Sequence, residues 1–465
     1  MKSRNRSLPQ SPYTTLSRFL VFTRRFSPTK ALLVCFRFFI VRFSLSVVRC
    51  PFGCGPGPRC AFILSFLLLA SACGTFRGPW GWIGPGGRGG LDRAAFPKIE
   101  AICRQTVADG HAPGVVLLIG RGDRVLFRKA FGYRMNDPNA EPMTVDTLFD
   151  LASLTKPTCT ASAIMLLVQD GRVALESPVA RYVPEFDRPD KRDVTILHLL
   201  THTSGLPAYT SAAAVEKEYG PRPNPDGLIR HIAALPLKYP TGKGCIYSCL
   251  NYLVLARVVQ NVTGSNQAVL LRERLWRPLG MKDTTFYPTA EQIARTAPTI
   301  HNGNTFRRGE VHDPLAYYSV SPPYAPGNAG GFSTADDAAR LVRLLLGGGR
   351  LGRARIFQPA TWEKITTEQT GPLRAGRTCG WELATSSAYC TPLNKSPETC
   401  CLIHTGYTGT LIWMDKLSKT YVIFFSNCVY PADEKPHKDA VIQARRRIIR
   451  TVLDHLDVYR AAPSG

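Results

Sequence analysis

The chain has 465 residues, 44% of them apolar, which is enough to bury one large core or two smaller ones and excludes a disordered protein. Its 58 basic and 34 acidic residues give a formal net charge of +24. The first acidic residue is Asp92, and the 13 basic residues before it carry more than half of the excess charge. Because no basic patch with interleaved aromatic residues follows, the composition argues against nucleic-acid binding.

Residues 1–91 form a leader that differs from the rest of the chain. Residues 49–73 combine basic flanks, an apolar run and the small residues "ASA" before Cys73, as a secretory signal does. The sequence around Cys73 resembles a bacterial lipobox, so this cysteine is a lipidation candidate, and plain signal cleavage after Ala72 is the alternative. An organelle transit peptide is a rival interpretation. The leader predicts export to a bacterial cell envelope, either into the periplasm or onto the membrane through a lipid anchor.

The body, residues 92–460, is predicted to begin and end with strands. "PGVVLLIGRGDRVLFRKAFGYR" predicts two strands joined by a tight turn. "GTLIWMDKLSKTYVIFFSN" predicts two more strands, followed by a basic helix, and residues 180–350 between these segments show amphipathic helical patterns. We therefore predict an α/β (α+β) fold, in which both ends of the chain build one antiparallel sheet flanked by helices and the middle forms a mostly helical second domain.

The cysteines of the body do not follow a metal-site pattern. The chain has 14 cysteines, and those in the body show neither C-x-x-C pairs nor a zinc-finger spacing, so no metal or other cofactor is predicted. In an exported protein, Cys379, Cys390, Cys400 and Cys401 are close enough in sequence for one or two disulfides.

The stretch "FDLASLTKPTCTASAIMLLVQDG" places Ser153 three residues before Lys156, where a helix begins. Residues three apart share a helix face, so the amine can reach the hydroxyl. The positive end of the helix favours charge on the serine oxygen and lowers the proton affinity of the lysine. Together these effects activate a weak nucleophile without a histidine. A helix cap followed by a surface lysine is the simpler alternative, because long chains contain such spacings by chance.

Two further segments offer polar groups. Tyr247, in "GKGCIYSCLNYLVLARVV", precedes a helix, and a phenol beside an ammonium can act as a general base. His404, Thr405 and Gly406, in "CLIHTGYTGTLIWMD", are predicted to open a strand whose edge binds an extended peptide. Considered alone, Tyr247 is better explained as a buried tyrosine with a satisfied hydroxyl, and the alternative for His404 is a polar residue at a strand end.

These three segments, in this order and at this spacing, resemble the serine β-lactamase and penicillin-binding-protein superfamily. The likeness is greatest to the class C β-lactamase branch and its DD-peptidase and esterase relatives. It extends to "LLTHTSGLP" and "NAGGFSTADDAARLVRLLLGGG" and covers about residues 92–455. The resemblance implies that Ser153 is the acylated nucleophile and that Lys156 and Tyr247 shuttle its proton. It also implies an oxyanion site between the backbone N–H groups of Ser153 and Tyr407.

The resemblance further implies a substrate-binding edge with two departures from the family pattern. His404 stands where the family usually has lysine, and would orient a substrate carboxylate beside Thr405 and Gly406. The family motif Tyr-x-Asn is Tyr-Ser-Cys here, so the thiol of Cys249 replaces an amide that donates to substrate. Asn251, two positions further on, would take over only if the turn were re-registered.

Both departures count against efficient β-lactam hydrolysis and leave room for ester or peptide substrates. The expected function is an exported serine hydrolase that forms an acyl-serine intermediate on an amide or ester, of DD-carboxypeptidase or esterase type. A β-lactamase, and a penicillin-binding or sensing module without turnover, are the alternatives. The expected partner is a small molecule or peptide (a peptidoglycan stem peptide, an ester or a β-lactam), and the chain is expected to be a monomer.

Overall fold

The structure is a computed structural model, and it describes residues 90–136, 139–301, 305–391, 393 and 400–460. The predictions for the leader, including the lipidation candidate Cys73, lie outside the described residues. Within the described ranges, no helix combines the length and the apolar character needed to cross a bilayer.

Strands concentrate near the two ends of the described chain, and helices lie mostly between them. The strands are β1 (Gly114–Arg121), β2 (Arg124–Met135), β3 (Glu141–Pro142), β4 (Phe149–Asp150), β5 (Thr299–His301), β6 (Thr305–Arg307), β7 (Phe332–Ser333), β8 (Arg350–Leu351), β9 (Ala354–Arg355), β10 (Glu382–Ala384), β11 (Cys401–Thr405), β12 (Leu411–Asp415) and β13 (Thr420–Ser426). The helices are α1 (Ala95–Ala108), α2 (Ser162–Gln169), α3 (Ile196–Leu200), α4 (Ala212–Tyr219), α5 (Pro225–Ala234), α6 (Cys249–Thr263), α7 (Gln267–Leu271), α8 (Arg277–Leu279), α9 (Ala290–Arg295), α10 (Pro314–Ser319), α11 (Ala335–Leu346), α12 (Pro359–Thr366), α13 (Lys435–Asp454) and α14 (Asp457–Arg460).

The main sheet joins the two ends of the chain. Its strand order is β10-β11-β12-β13-β1-β2-β3, and neighbouring strands are antiparallel. The central pair is β1 with β13, in which Val115 lies opposite Ser426 and Arg121 lies opposite Thr420. The predicted antiparallel sheet built from both ends of the chain, with helices between them, is therefore confirmed.

The first hairpin of the sheet forms where the sequence predicts it. Arg121 pairs with Arg124, so Gly122 and Asp123 make the turn between β1 and β2. Gly122 has a φ of 54°, in the left-handed region that glycine adopts without steric cost. The "GRGD" sequence therefore serves as a hairpin turn.

Strand β1 contributes to two hydrophobic cores, one on each face of the sheet. Alternate side chains of a strand point to opposite faces. Val115, Leu117 and Ile119 accordingly join the core that includes residues of α1 and α13, whereas Val116 and Leu118 join the larger core of the helical region. This burial on both faces explains why β1 is continuously apolar rather than alternating.

One strand assignment from the sequence is wrong. His404 and Thr405 end β11, and Gly406 follows it, whereas the sequence analysis expected these residues to open a strand. The apolar residues before them already pair with β12, with Cys401 opposite Asp415. The polar residues therefore lie at the end of the strand, where the chain leaves the sheet.

Cysteines from the group that was expected to form disulfides remain reduced. Cys379 and Cys401 carry free thiols and are fully buried. Two disulfides within that group are therefore not formed. Burial raises the pKa of Cys379 to about 12, so this thiol behaves as a small apolar group in the core.

Candidate active site

Ser153 lies in a strained turn at the start of a long helical segment. It occupies a 3₁₀ turn, Ala152–Leu154, which leads through a π turn, Lys156–Ala161, into α2. Ala152 has a φ of 46°, a left-handed conformation that costs energy for a residue other than glycine. The buried carboxylate of Asp150 holds this turn by accepting the Ala152 N–H at 2.8 Å. Such strain just before a predicted nucleophile is typical of a functional turn.

Lys156 is buried against Ser153 and finds an acceptor for each of its ammonium protons. Its Nζ donates to Ser153 Oγ at 3.0 Å, to the main-chain oxygen of Asn328 at 2.8 Å and to Cys249 Sγ at 3.4 Å. The contact between the Lys156 amine and the Ser153 hydroxyl, which their spacing predicts, is therefore formed in the structure. Cys249 lies beside the lysine.

The pKa of Lys156 is shifted in the opposite direction from the one expected. Burial opposes the positive charge of Lys156, but the electrostatic interactions with Cys249 and Tyr247 are larger in sum than this effect. The pKa of Lys156 is therefore raised above its ordinary value. The sequence analysis expected the helix terminus to lower the proton affinity of this amine, and that direction is wrong. Lys156 is therefore an ammonium at neutral pH.

Tyr247 lies beside this ammonium. The Nζ atom of Lys156 is 5.0 Å from the centre of the Tyr247 ring. The ring is packed by two histidines, with centroid distances of 4.6 Å to His202 and 6.0 Å to His404. The backbone N–H of Ser248 donates to His202 Nδ1 at 3.0 Å, which ties this histidine to the residue after the tyrosine. His202 lies in "LLTHTSGLP", but the sequence around it gives no sign of the distant tyrosine, so no role was predicted for it.

His404 is a neutral, buried ring at the end of β11. Its Nδ1 bonds to the main-chain oxygen of Thr405 at 2.9 Å. Because a carbonyl oxygen only accepts, Nδ1 carries the proton and Nε2 of the neutral ring is unprotonated. Burial, together with the nearby cations Lys156 and Arg377, lowers the pKa of His404 to about 3. His404 therefore offers a substrate carboxylate no positive charge at neutral pH.

The loop between β11 and β12 is hydrogen-bonded to the main chain just before the turn that contains Ser153. The hydroxyl of Thr408 donates to the main-chain oxygen of Asp150 at 2.8 Å, and that of Thr410 donates to the oxygen of Leu151 at 3.1 Å. At Gly406, a Cβ atom would lie only 2.4 Å from the Leu151 oxygen, so this close approach requires glycine. The backbone that follows Gly406 is therefore held beside the turn of the predicted nucleophile.

Most of the predicted site residues surround one cavity of about 590 Å³. Ser153 and Tyr247 line it, together with the β11 end and the residue after it: His404, Thr405, Gly406 and Tyr407. Asn251 lies apart from this group. It is fully buried in α6, where its Oδ1 accepts from Ser204 Oγ at 2.7 Å. The re-registered turn that would bring Asn251 to a substrate is therefore not formed.

The same cavity is also lined by cationic residues that were not predicted from the sequence. Arg377 comes from the segment before β10, and α13 contributes Lys438, Arg445 and Arg446. This helix was predicted to be basic. Arg445 and Arg446 follow Lys438 by seven and eight residues, a spacing that places all three side chains on one face of the helix, but no site was predicted from it. Arg377 had no local signal, since only the folded sheet brings it to the site.

Residues 99–446 match the family described as Beta-lactamase. The chain belongs to the β-lactamase family. A protein of Escherichia coli O157:H7 that is assigned by name to the D-alanyl-D-alanine carboxypeptidases is 31% identical over 385 residues, which span 76% of this chain and 86% of that protein.

Two solved structures share the β-lactamase-family fold. EstCE1, a hydrolase with promiscuous acyltransferase activity, has a TM-score of 0.61 and 22% identity and covers 77% of this chain and 99% of its own. A penicillin-binding protein homologue from Caulobacter crescentus has a TM-score of 0.60 and 22% identity, with coverage of 79% and 99%. The resemblance to the serine β-lactamase and penicillin-binding-protein superfamily is confirmed, and the chain is a serine hydrolase.

Proposed function

We propose that this β-lactamase-family protein hydrolyses an amide or ester bond through an acyl-serine intermediate on Ser153, as a DD-carboxypeptidase does. The observation that carries the proposal is the 3.0 Å hydrogen bond from Lys156 Nζ to Ser153 Oγ at a cavity of about 590 Å³. The name of the Escherichia coli relative supports peptides that end in D-alanyl-D-alanine as the substrate class.

In the proposed reaction, Ser153 Oγ attacks the carbonyl carbon, and the carbonyl π electrons move to its oxygen. The ammonium of Lys156 stabilises the charge that develops on Oγ, while Tyr247 takes the serine proton and returns it to the leaving amine or alcohol. The backbone N–H groups of Ser153 and Tyr407 face the oxyanion, and each such donor is typically worth about 3 kcal/mol. Water then attacks the acyl-serine by the same route and releases the acid.

The positive charge that faces a substrate carboxylate comes from Arg377 in this proposal, because His404 is neutral. Arg377 lines the cavity, and its Nη1 donates to Glu382 at 2.9 Å. Its Nε is buried and has no hydrogen-bond partner within the described ranges. An arginine is suited to this task, since its guanidinium forms paired hydrogen bonds with a carboxylate.

An esterase is the second candidate function, and Cys249 is the observation that favours it. A thiol is a weak hydrogen-bond donor, so the site lacks the amide that the family places here to bind a substrate amide. Ester substrates without such an amide do not need this donor. The fold shared with the hydrolase EstCE1 is consistent with this alternative.

We also propose that the enzyme acts outside the cytoplasm. The signal-like sequence of residues 49–73 supports export, and Cys73 is the residue that a lipid anchor would use. Fractionation of the expressing cells, with the mass of the mature N-terminus, distinguishes a lipidated protein from a simply cleaved one. A full-length protein in the cytoplasm would contradict the proposal.

The central experiment uses a fluorophosphonate probe and three substrates on the purified protein. We expect the probe to label Ser153, so that Ser153→Ala abolishes labelling whereas Ser177→Ala, outside the cavity, retains it. Release of D-alanine from a D-alanyl-D-alanine peptide supports the carboxypeptidase, p-nitrophenyl ester cleavage alone supports the esterase, and fast nitrocefin turnover supports a β-lactamase. Labelling that persists in the Ser153→Ala variant would contradict the acyl-serine proposal.

A further inference from the structure

The side of the active-site cavity formed by α13 carries more positive charge than the proposed reaction uses. Lys438, Arg445 and Arg446 line the cavity from this helix, and Arg377 lines it from the sheet side. Two of these four cations have carboxylate partners. Arg377 Nη1 is 2.9 Å from Glu382 Oε2. Lys438 Nζ is 2.7 Å from an oxygen of Asp433.

Arg445 is buried and pairs with no carboxylate of the described residues. Its side chain is 4% exposed, and its Nε is buried with no hydrogen-bond partner in the part of the chain that the structure describes. The guanidinium carbon lies 5.6 Å from the centre of the Phe424 ring, which holds the group without neutralising it. Burial lowers the pKa of Arg445 to about 10, so the residue still carries its charge at neutral pH. An unpaired buried charge is costly unless a partner of opposite charge binds.

Arg446 extends this charge toward solvent. Its Nε donates to the hydroxyl of Tyr389 at 3.3 Å, and both residues line the cavity. Neither Arg445 nor Arg446 forms an ion pair within the described residues. Two adjacent guanidinium groups, to which the described part of the chain supplies no acidic partner, therefore line the cavity that Ser153 also lines.

We propose that Arg445 and Arg446 form an anion subsite that binds a carboxylate of the substrate, separate from the carbonyl that Ser153 attacks. Guanidinium groups bind carboxylates through paired, charge-assisted hydrogen bonds, and two of them hold a carboxylate more firmly than one. The subsite selects peptides or esters that carry an additional carboxylate, either an acidic side chain or a chain terminus. The proposal rests on the proposed function only in assigning that carboxylate to the substrate.

The subsite is tested by titrating the Ser153→Ala variant with glutarate and with the neutral glutaramide. We expect glutarate to bind and glutaramide to bind at least tenfold more weakly. Adding Arg446→Gln or Arg445→Met should weaken glutarate binding at least tenfold. Arg447→Gln is the matched control, because Arg447 is exposed on the same helix and lines a different cavity with Lys98.

Two further measurements complete the experiment. Arg446 is exposed, so Arg446→Gln tests the subsite even if Arg445→Met lowers the melting temperature. In the active enzyme, Arg446→Gln should raise KM for the p-nitrophenyl half-ester of glutarate at least fivefold and leave KM for p-nitrophenyl valerate unchanged. Equal glutarate affinity in Arg446→Gln and Arg447→Gln overturns the subsite. Absence of both ester cleavage and D-alanine release overturns the proposed function and leaves the titration valid.

Discussion

His404 is a neutral residue at the position where its family usually has a positively charged lysine. Its ring is 5% exposed, and its neighbours Lys156 and Arg377 are both cations. A third positive charge there would have to overcome both burial and repulsion. The histidine therefore contributes shape and a neutral nitrogen, and the positive charge of this region resides in Lys156 and in the arginines of the cavity.

This burial makes His404 a source of acid sensitivity. The folded pKa of about 3 lies below the ordinary value near 6.5, so between these pH values the unfolded chain binds the proton that the folded chain excludes. Stability therefore rises with pH through this window and is lost on acidification, by about 5 kcal/mol for a shift of this size. We expect His404→Gln to flatten this slope in urea unfolding between pH 4 and pH 8.

His437→Gln serves as the control for this prediction, because His437 lies only partly buried near the start of α13. It should leave the acid slope of the wild type in place. The prediction is wrong if the His404→Gln variant and the wild type lose stability equally between pH 8 and pH 4.

Among the elements, the turn of the serine and the β11–β12 loop act as one unit. Thr408 and Thr410 bond to the main chain of the two residues before Ala152, and Ala152 itself has a φ of 46°. These hydrogen bonds hold the strained backbone, which on its own would relax toward a more common conformation. The strained turn costs stability, and in return it positions Ser153, the proposed nucleophile.

The strain is measurable through Ala152→Gly. Glycine adopts a positive φ freely, and relief of about 1 kcal/mol should offset the loss of the buried methyl group. We expect an unchanged or slightly higher free energy of unfolding, together with a fall in kcat because the turn is less fixed. Ala440→Gly, within α13, should instead lower stability by about 1 kcal/mol. A similar loss of stability in both variants would contradict a strained turn at Ala152.

Local spacing predicted the parts of the site that lie within one element. Ser153 and Lys156 are three residues apart on one helical segment, so their contact follows from helix geometry. Arg377 and Arg445 were not predicted as site residues, because they reach the cavity only through the pairing of the sheet and the packing of α13. The wrong placement of His404 in its strand has the same origin, since the pairing of β11 with β12 determines where the strand ends.

At the scale of the whole molecule, the sheet separates two cores that share strand β1. Leu117 belongs to the core of α1 and α13, and Leu118 belongs to the core of the helical region. Both side chains are fully buried. The stability of the sheet therefore depends on packing against both of its faces.

Single truncations on β1 test this dependence. We expect Leu117→Ala and Leu118→Ala each to lower the free energy of unfolding by about 2–5 kcal/mol, because each leaves a cavity in a packed core. Leu417→Ala, at an exposed leucine, should change it by less than about 0.5 kcal/mol. Urea denaturation followed by circular dichroism gives these values. A change below about 0.5 kcal/mol at either buried position would show that one of the cores is dispensable.

The pairing of β1 with β13 has a consequence for biosynthesis. About 300 residues separate the two partners along the chain, and a ribosome that adds 5–20 residues per second needs on the order of 15–60 s to make them. Ser153 leaves the ribosome early, but the loop fastened to its turn and the strand that closes the sheet are translated late. The nascent polypeptide therefore carries the proposed nucleophile before its site is complete, and we expect hydrolytic activity to arise only with the last part of translation.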